Sequence, residues 1–291
     1  MRVINIVCFG FGQVARNFIK KLNNDGTSFK LTTTTREVSK NKTFENINYD
    51  SFQLTDQSFD EKLIARLEEA DHILLSIAPV NGVDIVIKNL QKNFNSKKIK
   101  WMTYLSATSV YGDHNGKWVD ENSETKPTSS NGVTRLKIEK EWMELSHKHN
   151  LPIQIFRLSG IYSSQNNILK RLKLGEVKII NKKNHCFSRV HVDDIANILS
   201  NSLNNFKKNE IYNISDDKPA PAEEVAMYGA KLMGFDKPKT IEISEIASEM
   251  LKNFYKDSKK VNNKKMKIFF NYKLKYPTYI EGLNYIYNNT I

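Results

Sequence analysis

The sequence predicts an α/β fold in which a doubly wound parallel sheet is followed by a smaller C-terminal lobe. Two observations predict it. Strand-like apolar runs alternate with helix-like periodic segments over residues 1–162, and the first run, residues 3–9, ends in a glycine turn. From residue 163 the alternation becomes irregular, so we expect a second lobe over residues 163–291.

The glycine turn has the arrangement of a dinucleotide-binding site. Gly10 and Gly12 allow a tight turn, Ala15 is the third small residue, and apolar residues at helical spacing follow over 14–22. The N–H groups at a helix N-terminus face a pyrophosphate, and glycine lets the phosphate approach. The sequence therefore predicts a Rossmann-type domain. The residues of the turn that we expect to contact the cofactor are Gly10, Phe11, Gly12, Gln13 and Val14.

The second predicted strand, residues 29–35, ends where such a domain selects its cofactor. A site that prefers NAD places Asp or Glu there to bind the ribose 2′-hydroxyl, whereas this chain has Thr35 and Arg36. A hydroxyl followed by a guanidinium suits a 2′-phosphate, because arginine binds phosphate oxygens with two N–H groups. NADP(H) is therefore the favoured cofactor, and NAD(H) is the alternative.

Further cofactor contacts are expected at the carboxyl ends of the next strands. The third strand, 52–54, would bring Gln53 and Leu54 to the adenine. The fourth strand, 71–77, would present the small or apolar residues Ser76, Ile77 and Ala78, and the fifth, 100–106, would present Leu105. The other elements predicted in this half are helix 59–67, helix 82–94, a helix from residue 130, and strand 151–157.

Composition narrows the class of protein. The 291 residues carry a net charge of +12, but the lysines are scattered, and the basic stretches 97–100 and 259–267 are interpreted as solvated surface. Nucleic-acid binding is therefore not expected. The only cysteines, Cys8 and Cys186, form no disulfide framework or metal motif. We therefore expect no metal and a reducing, cytoplasmic compartment. No apolar run reaches the roughly 20 residues that span a membrane, and no signal peptide is recognised.

Six motifs together resemble the extended short-chain dehydrogenase/reductases, the NAD-dependent epimerase/dehydratase superfamily. The resemblance covers essentially the whole chain and is closest to atypical members that have lost part of the catalytic set. The motifs are the glycine turn, Ser-x-x-x-Val-Tyr-Gly at 106–112, Arg-Leu-Ser-Gly-Ile-Tyr at 157–162, Phe-Ser-Arg-Val-His-Val-Asp-Asp at 187–194, Tyr-Asn-Ile-Ser-Asp-Asp at 212–217 and Tyr-Pro-Thr-Tyr-Ile-Glu-Gly at 276–282.

The resemblance implies a catalytic Ser or Thr after the fifth strand and a Tyr-x-x-x-Lys pair on the next helix. The tyrosine exchanges the substrate hydroxyl proton while hydride passes to or from nicotinamide, and the lysine lowers the tyrosine pKa and holds the ribose. This chain departs from the set. The serine position falls on Ala107, between Ser106 and Thr108.

Two registers are open on the helix. Matching Gly132 puts Asn131 at the tyrosine and Arg135 at the lysine, whereas a shift of two residues puts Val133 and Lys137 there. The first register is preferred because it also keeps Leu136 and Glu139 in place. Neither places a titrating group at the tyrosine, although Arg135 can still hold a ribose or phosphate. The candidate catalytic residues are Ser106, Thr108, Tyr111, Asn131 and Arg135.

Other acid–base groups are available in the sequence, each with a structural role as the favoured interpretation. Tyr111 is the phenol nearest in sequence to the expected crevice, and Tyr162, His191 and His114 are the other candidates. We expect Tyr111 to pack or bond locally and His191 to brace a strand–helix junction.

Substrate contacts are expected at the carboxyl end of the sixth strand and in the second lobe. Leu158 and Ser159 follow that strand, beside the expected nicotinamide. Arg157 either pairs with a carboxylate in the core or reaches the ligand. Nucleotide-sugar enzymes of the superfamily place an arginine four residues before the histidine, where this chain has Phe187. Arg189 and His191 remain as candidates for an anionic substrate.

The elements predicted in the second lobe are mostly helices. Asp193 or Asp194 is expected to cap helix 195–203. Residues 259–265 form a basic turn that we interpret as solvated surface, and the alternative is closure over an anion. These elements are helix 167–174, strand 177–180, helix 195–203, helix 222–232 ended by Gly234, helix 244–254 and helix 279–287.

The sequence therefore predicts an NADP(H)-dependent oxidoreductase or epimerase-like enzyme that acts on a small polar substrate with a non-standard proton donor. The alternative is a catalytically silent protein that senses NADP(H) or scaffolds a partner. A homodimer through the helix 136–145 is a further expectation from the resemblance.

Overall fold

The computed structural model describes residues 3–180, 182 and 185–290, and it divides into two compact units. Both units are discontinuous in sequence, whereas the prediction from the sequence had a single boundary after residue 162. The first unit comprises Met1–Ser106, Thr134–Arg157 and Ile195–Tyr212, and the second unit comprises Ala107–Val133, Leu158–Asp194 and Asn213–Ile291.

A mostly parallel sheet of eight strands is the largest element of the described chain, which confirms the predicted fold class. Its strand order is β12-β8-β6-β5-β1-β2-β4-β3. The eight strands are β1 (Ile4–Phe9), β2 (Phe29–Thr35), β3 (Lys40–Phe44), β4 (Ile47–Gln53), β5 (His72–Leu75), β6 (Trp101–Ala107), β8 (Ile153–Leu158) and β12 (Ile211–Ile214).

Short strands pair outside this sheet, in the second unit. β7 pairs with β14, β9 with β11 and β10 with β13, each in parallel. These strands are β7 (Trp118–Val119), β9 (Gly160–Tyr162), β10 (Ile179–Ile180), β11 (Arg189–His191), β13 (Thr240–Ile241) and β14 (Lys260–Val261).

The predicted helices occur in the expected order in the described chain, and α9 is an additional helix that was not predicted. The first unit holds α1 to α3 and most of α4 and α6, and the others lie in the second unit. They are α1 (Gln13–Asn24), α2 (Lys62–Glu69), α3 (Ile85–Leu90), α4 (Ser130–His149), α5 (Ile168–Lys173), α6 (Val192–Ser202), α7 (Ala222–Met233), α8 (Glu249–Phe254), α9 (Lys264–Phe269) and α10 (Tyr279–Thr290). None of the helices described is long and apolar enough to cross a membrane.

The hydrophobic core of the first unit lies against the sheet. Helix α1 buries the apolar residues that the sequence pattern identified, Val14, Ala15, Phe18, Ile19 and Leu22. Strand β2 runs over the predicted residues, and β5 and β8 are fully buried, as continuous apolar runs in a parallel sheet require.

A buried ion pair joins α4 to β8 inside this unit. The guanidinium of Arg157 donates to the carboxylate of Glu139 from Nε at 3.1 Å and from Nη2 at 2.7 Å, and both side chains are at most 4% exposed. Of the two roles left open for Arg157, the structure therefore gives it the carboxylate partner.

The antiparallel edge strand β3 was not predicted. Its residues Lys-Asn-Lys-Thr-Phe are mostly exposed and poor strand formers, and lysines are typical of a protected sheet edge. The hairpin to β4 turns at Glu45 and Asn46, both with positive φ, which is the conformation of a two-residue hairpin turn without its usual glycine. Strand β4 consequently begins at Ile47 rather than near residue 52.

Four predicted helices begin later or earlier than expected, and one of them is α2, which starts at Lys62 rather than at residue 59. Helix α3 starts at Ile85 because Asn81 and Gly82 adopt positive φ and the Asp84 carboxylate accepts the N–H groups of the first turn. Helix α6 starts at Val192, so neither Asp193 nor Asp194 caps it.

Instead, the Asp194 carboxylate accepts the Tyr272 hydroxyl and the N–H groups of Lys275 and Tyr276. The helix expected over 244–254 is a 3₁₀ turn at Ile243–Glu245 followed by α8.

Candidate functional site

The glycine turn forms an open cradle at the N-terminus of α1, in the first unit. Gly10 has φ +83°, and a Cβ on it would lie 3.0 Å from Ile77 Cγ1. A Cβ on Gly12 would meet no atom within 4 Å, so the space above Gly12 is empty of protein. No side chain caps α1. The N–H groups of its first turn and this open space fit a pyrophosphate.

The cradle lies where the strand order of the sheet reverses, which is where open α/β sheets bind ligands. Neighbouring strands hold the turn in place. The N–H of Gly10 donates to Thr34 Oγ1 at 2.9 Å, and Ser76 Oγ donates to the carbonyl oxygens of Phe9 and Gly10. Ser76 therefore fixes the turn through its hydroxyl, while Ala78, two residues on, is exposed.

The side chains of two of the turn residues pack against the protein. The Phe11 ring packs edge-on against Phe44 and at a tilt against Tyr49, with centroids 5.4 and 5.1 Å away. Val14 is 7% exposed and belongs to the core. The unpredicted strand β3 supplies Phe44, so it buttresses the glycine turn.

The carboxyl end of β2 carries an exposed guanidinium. Thr35 Oγ1 accepts the N–H of Glu37, which shapes the turn, and the Arg36 carbonyl accepts Gln53 Nε2 at 3.4 Å. The Arg36 side chain is exposed, and Glu37 pairs with Lys40 and Lys42 instead. Leu54 is 1% exposed and anchors the next turn.

Arg135 of α4 reaches the carboxyl end of β6 within the same unit. Its Nη1 donates to the Leu105 carbonyl at 2.7 Å and lies 3.4 Å from the Tyr104 hydroxyl, while its buried Nε has no hydrogen-bond partner. Lys137, the lysine of the other register, is 63% exposed and pairs with Glu141. Ser106 is buried, and its Oγ has no partner either.

A cavity of about 790 Å³ lies within the second unit. Its wall combines apolar and aromatic side chains with a few polar and charged ones, the composition of a small-molecule site. The polar and charged lining residues are Thr108, Ser109, Ser129, Ser130, Asn131, Tyr162, Asn166, Asn167, Arg171, Ser188, Arg189, Asp257, Lys259 and Tyr279, and Cys186 also lines it.

Several predicted residues meet in this cavity. Thr108 and Asn131 line it, and so does Arg189, whose Nη1 donates to the carbonyls of Phe187 and Ala220 at 2.9 Å. Ser159 and Leu158 are buried and do not line the wall, although the Ser159 Oγ has no hydrogen-bond partner. Val133 is exposed on α4.

Each of the four alternative acid–base candidates makes hydrogen bonds or packing contacts that are typical of a structural residue. The hydroxyl of Tyr111, which is fully buried, donates to Asn213 Oδ1 at 2.7 Å. Burial raises the pKa of Tyr162. Its ring packs directly against Gly282, where an added Cβ would lie only 2.6 Å from Tyr162 Cε2. His114 Nε2 lies 3.1 Å from the Tyr111 and Glu124 carbonyl oxygens.

His191 braces β11 against α6. Its Nδ1 accepts the N–H of Asp193 at 3.2 Å, and its ring lies 4.2 Å from the Tyr276 ring centroid. Burial, the largest effect, lowers the pKa of His191 to about 4, so its ring is neutral at pH 7. It does not line the cavity, which argues against the substrate role expected from the sequence.

Several cavity residues were not predicted from the sequence, among them the charged residues Arg171, Asp257 and Lys259. Lys259 and Asp257 have side chains only 12% and 9% exposed, whereas the basic stretch 259–265 was interpreted as solvated. The signal available in the sequence was the break in the charge pattern at Ser258 and the apolar Val261. It does not show which lysine turns inward.

The profile of the NAD dependent epimerase/dehydratase family matches residues 7–215 of the chain. The chain belongs to this family. A conserved protein of unknown function from Silicibacter pomeroyi DSS has a similar structure, with a TM-score of 0.83 and 30% identity over 99% of both chains. The described residues contain no group of His, Cys, Asp or Glu that would hold a metal ion.

More distant relatives share the fold. UDP-N-acetylglucosamine 4-epimerase from Bacillus cereus has a TM-score of 0.76 and 19% identity over 99% of both chains. UDP-glucuronic acid 4-epimerase from Bacillus cereus, solved in complex with NAD, has a TM-score of 0.78 and 16% identity over 99% of this chain and 98% of its own. No curated protein matches the chain significantly.

Proposed function

We propose that the protein is an NADP(H)-dependent oxidoreductase or epimerase-like enzyme that acts on a small polar substrate with a non-standard proton donor. The observation that carries the cofactor proposal is the empty space above Gly12, at an uncapped helix N-terminus on the switch point of the sheet. When bound, the nicotinamide group supplies a hydride donor or acceptor.

The chain's own residues have distinct roles in this proposal. The turn 10–14 holds the pyrophosphate through its N–H groups, Gln53 borders the adenine, and Leu54, whose side chain is buried, contributes only its backbone there. Arg135 holds a ribose or phosphate, and Ser76, Ile77, Ala78 and Leu105 of the same unit border the cofactor. This assignment is supported by Nε of Arg135, which is buried and has no acceptor in the protein. An oxygen of the bound ribose or phosphate would provide that acceptor. The solvent-facing Lys137 supports the same register.

The cavity of the second unit is the proposed substrate site. Arg189 has Nη1 committed to two carbonyls, which fixes the guanidinium, and its remaining N–H groups have no acceptor among the described residues. They suit a carboxylate or phosphate of the substrate. Thr108 and Asn131 offer neutral hydrogen bonds to hydroxyl or carbonyl groups, whereas neither exchanges a proton at neutral pH.

A titration of the purified protein with NADPH and with NADH, followed by nicotinamide fluorescence, tests the cofactor proposal. We expect tight NADPH binding and weaker NADH binding. Binding of neither would remove the proposal. A carbonyl-substrate screen with the preferred cofactor then separates the enzyme from the alternative, a silent sensor or scaffold. The observation that favours this alternative is the exposed amide of Asn131 at the tyrosine position.

Replacing Arg36 with glutamate is expected to weaken NADPH binding by about 10- to 100-fold while changing NADH binding little. The exposed guanidinium at the end of β2 would otherwise donate to the 2′-phosphate, and charge-assisted pairs of this kind contribute about 1.5–3 kcal/mol. The measurement is the ratio of the two dissociation constants.

Lys30→Glu is the matched control for this prediction. It makes the same charge change at an exposed position on the same strand, near the opposite end. Equal losses for NADPH and NADH in Arg36→Glu, or an equal effect of Lys30→Glu, would remove the case for a 2′-phosphate site.

A further inference from the structure

We propose that the cavity of the second unit binds an organic carboxylate with an apolar body, in which Arg189 holds the carboxylate and Phe187 contacts the body. The inference rests on the proposed function, because it names the substrate class of that same site. It assigns the ligand one anionic group rather than a diphosphate. Every residue that it requires lies in the second unit.

The guanidinium of Arg189 is fixed in place with one edge left for a ligand. Nη1 donates to the carbonyl oxygens of Phe187 and Ala220, each at 2.9 Å. Nε and Nη2 make no hydrogen bond with the described residues, and together they form an edge that matches the two oxygens of one carboxylate. The side chain lines the cavity, so a ligand there can approach this edge.

The positive charge of Arg189 has no ion-pair partner among the described residues. Asp216 is the carboxyl whose charge would act most strongly on it. However, Asp216 Oδ1 accepts the N–H of Lys218 at 3.2 Å, and its buried Oδ2 has no hydrogen-bond partner in the described chain. Burial raises the pKa of Asp216 to about 8, so this carboxyl is mostly neutral at pH 7. Because arginine stays protonated, a ligand carboxylate would supply the missing counter-charge.

The other cations of the cavity wall are less suited to hold an anion. Lys259 Nζ donates to the Gly112 carbonyl at 3.0 Å and lies 3.9 Å from Asp257 Oδ2, so its charge is matched within the protein. Arg171 is exposed, where water and salt screen its charge. Arg189 therefore provides one fixed, unmatched positive charge, which suits a single carboxylate better than two phosphates.

An apolar surface extends along the same cavity. Ile168, Val225 and Leu283 pack in one hydrophobic cluster and line the cavity. Phe187 lines it as well, and its ring centroid lies 5.8 Å from Cζ of Arg189. An apolar ligand body would remove this surface from water, at about 25 cal/mol for each Å² of apolar area buried. A second phosphate would instead lose its hydration there without gaining hydrogen bonds.

The aromatic group around Phe187 adds no charge beside Arg189. The Phe187 ring lies 4.5 Å from the His185 ring and 5.3 Å from the Tyr255 ring, measured between centroids. Burial, the largest effect, lowers the pKa of His185 to about 4, and it raises the pKa of Tyr255, so both rings are neutral at pH 7. Phe187 is therefore the residue expected to favour an apolar body over a more polar anion.

The first test is calorimetric titration of the full chain with 3-phenyllactate, without a dinucleotide. This probe carries a carboxylate, a phenyl body and a hydroxyl group that Thr108 or Asn131 of the wall can bind. We expect one site with a dissociation constant of about 1 mM or lower. The neutral 3-phenyllactamide, and glycerate, which has a hydroxyl group in place of the phenyl ring, should each bind at least about tenfold more weakly. No binding of 3-phenyllactate, or equal binding of either control ligand, would overturn the proposal.

The place of binding is tested through Cys186, which lines the cavity. Alkylation by iodoacetamide, a neutral reagent that does not compete for Arg189, is followed by peptide mass spectrometry. Cys8 is fully buried and serves as the internal control for an intact fold. At ten times its dissociation constant, 3-phenyllactate should slow alkylation of Cys186 by at least about fivefold, and the same concentration of UDP should slow it by less than about twofold. An unchanged rate with 3-phenyllactate, or stronger protection by UDP, would overturn the proposal.

Variants then assign the two contacts. Arg189→Met is expected to weaken 3-phenyllactate binding by about 10- to 100-fold, because it removes a charge-assisted pair. Lys218→Met is the matched control, since Lys218 pairs with Glu224 at 2.8 Å and does not line the cavity; it should leave the affinity unchanged. Phe187→Ala is expected to weaken 3-phenyllactate binding by about 5- to 10-fold and glycerate binding little. Wild-type affinity in Arg189→Met, or equal losses for the two ligands in Phe187→Ala, would overturn the proposal.

The tests on the wild-type chain keep the outcomes distinct even where a variant does not fold, because none of them uses a dinucleotide. A chain that binds NADPH but not 3-phenyllactate would overturn this inference alone. A chain that binds 3-phenyllactate in the cavity but neither NADPH nor NADH would remove the proposed function and leave the carboxylate site in place.

Discussion

Gly12→Val is expected to weaken dinucleotide binding by at least about 100-fold, roughly 2.7 kcal/mol, while lowering the stability of the fold by no more than about 1 kcal/mol, because valine is a poorer N-cap residue than glycine. Gly12 has φ −80° and ψ −169°, an extended conformation that valine adopts readily. A Cβ there would meet no protein atom within 4 Å, so the added methyl groups would enter only the space assigned to the pyrophosphate.

The prediction separates a binding glycine from a structural one. Dissociation constants for NADPH and NADH and the thermal unfolding midpoint are measured on the same preparations. Gly12→Ala, with a single methyl group, should give a smaller loss of affinity and a midpoint close to that of Gly12→Val. Wild-type affinity in Gly12→Val would show that the dinucleotide is not held over this turn, and a loss of stability well above about 1 kcal/mol would show that Gly12 has a packing role beyond its N-cap position.

The first half of the fold was predictable because local pattern and tertiary environment agree there. A continuous apolar run, two glycines and a helical stripe specify β1, the turn and α1 before any contact is known. The edge strand β3 was not predictable in this way. Its residues are polar, its pairing partner lies beyond a turn without glycine, and its one apolar anchor, Phe44, acquires a partner only when Phe11 is in place.

The candidate site shows the same limit at the level of single side chains. Spacing identified Arg135 and Lys137 as alternatives on α4, but only the packing of the helix decides that Arg135 turns to the Leu105 carbonyl and Lys137 to solvent. Likewise, a run of lysines and asparagines after residue 258 is typical of a surface. The pairing of β14 with β7 is what places Lys259 beside Gly112.

Arg157→Met is expected to destabilise the first unit by about 3–5 kcal/mol, because it leaves the buried carboxylate of Glu139 without its two-pronged partner. Urea unfolding followed by the fluorescence of Trp142, which is fully buried in that unit, provides the measurement. Arg66→Met is the matched control. Its pair with Asp50 is similarly short, at 2.8 Å, but the two side chains are 43% and 33% exposed, so we expect a loss below about 1 kcal/mol.

A double variant distinguishes the loss of attraction from the cost of an isolated charge. Replacing Glu139 with leucine in the Arg157→Met background removes the unpaired carboxylate, so most of the lost stability should return. If Arg157→Met instead retains stability but loses dinucleotide affinity, Arg157 would act on the ligand, which was the other role left open for it by the sequence. The stability and the dinucleotide affinity of Arg157→Met, measured together, therefore distinguish a core arginine from a ligand-binding arginine.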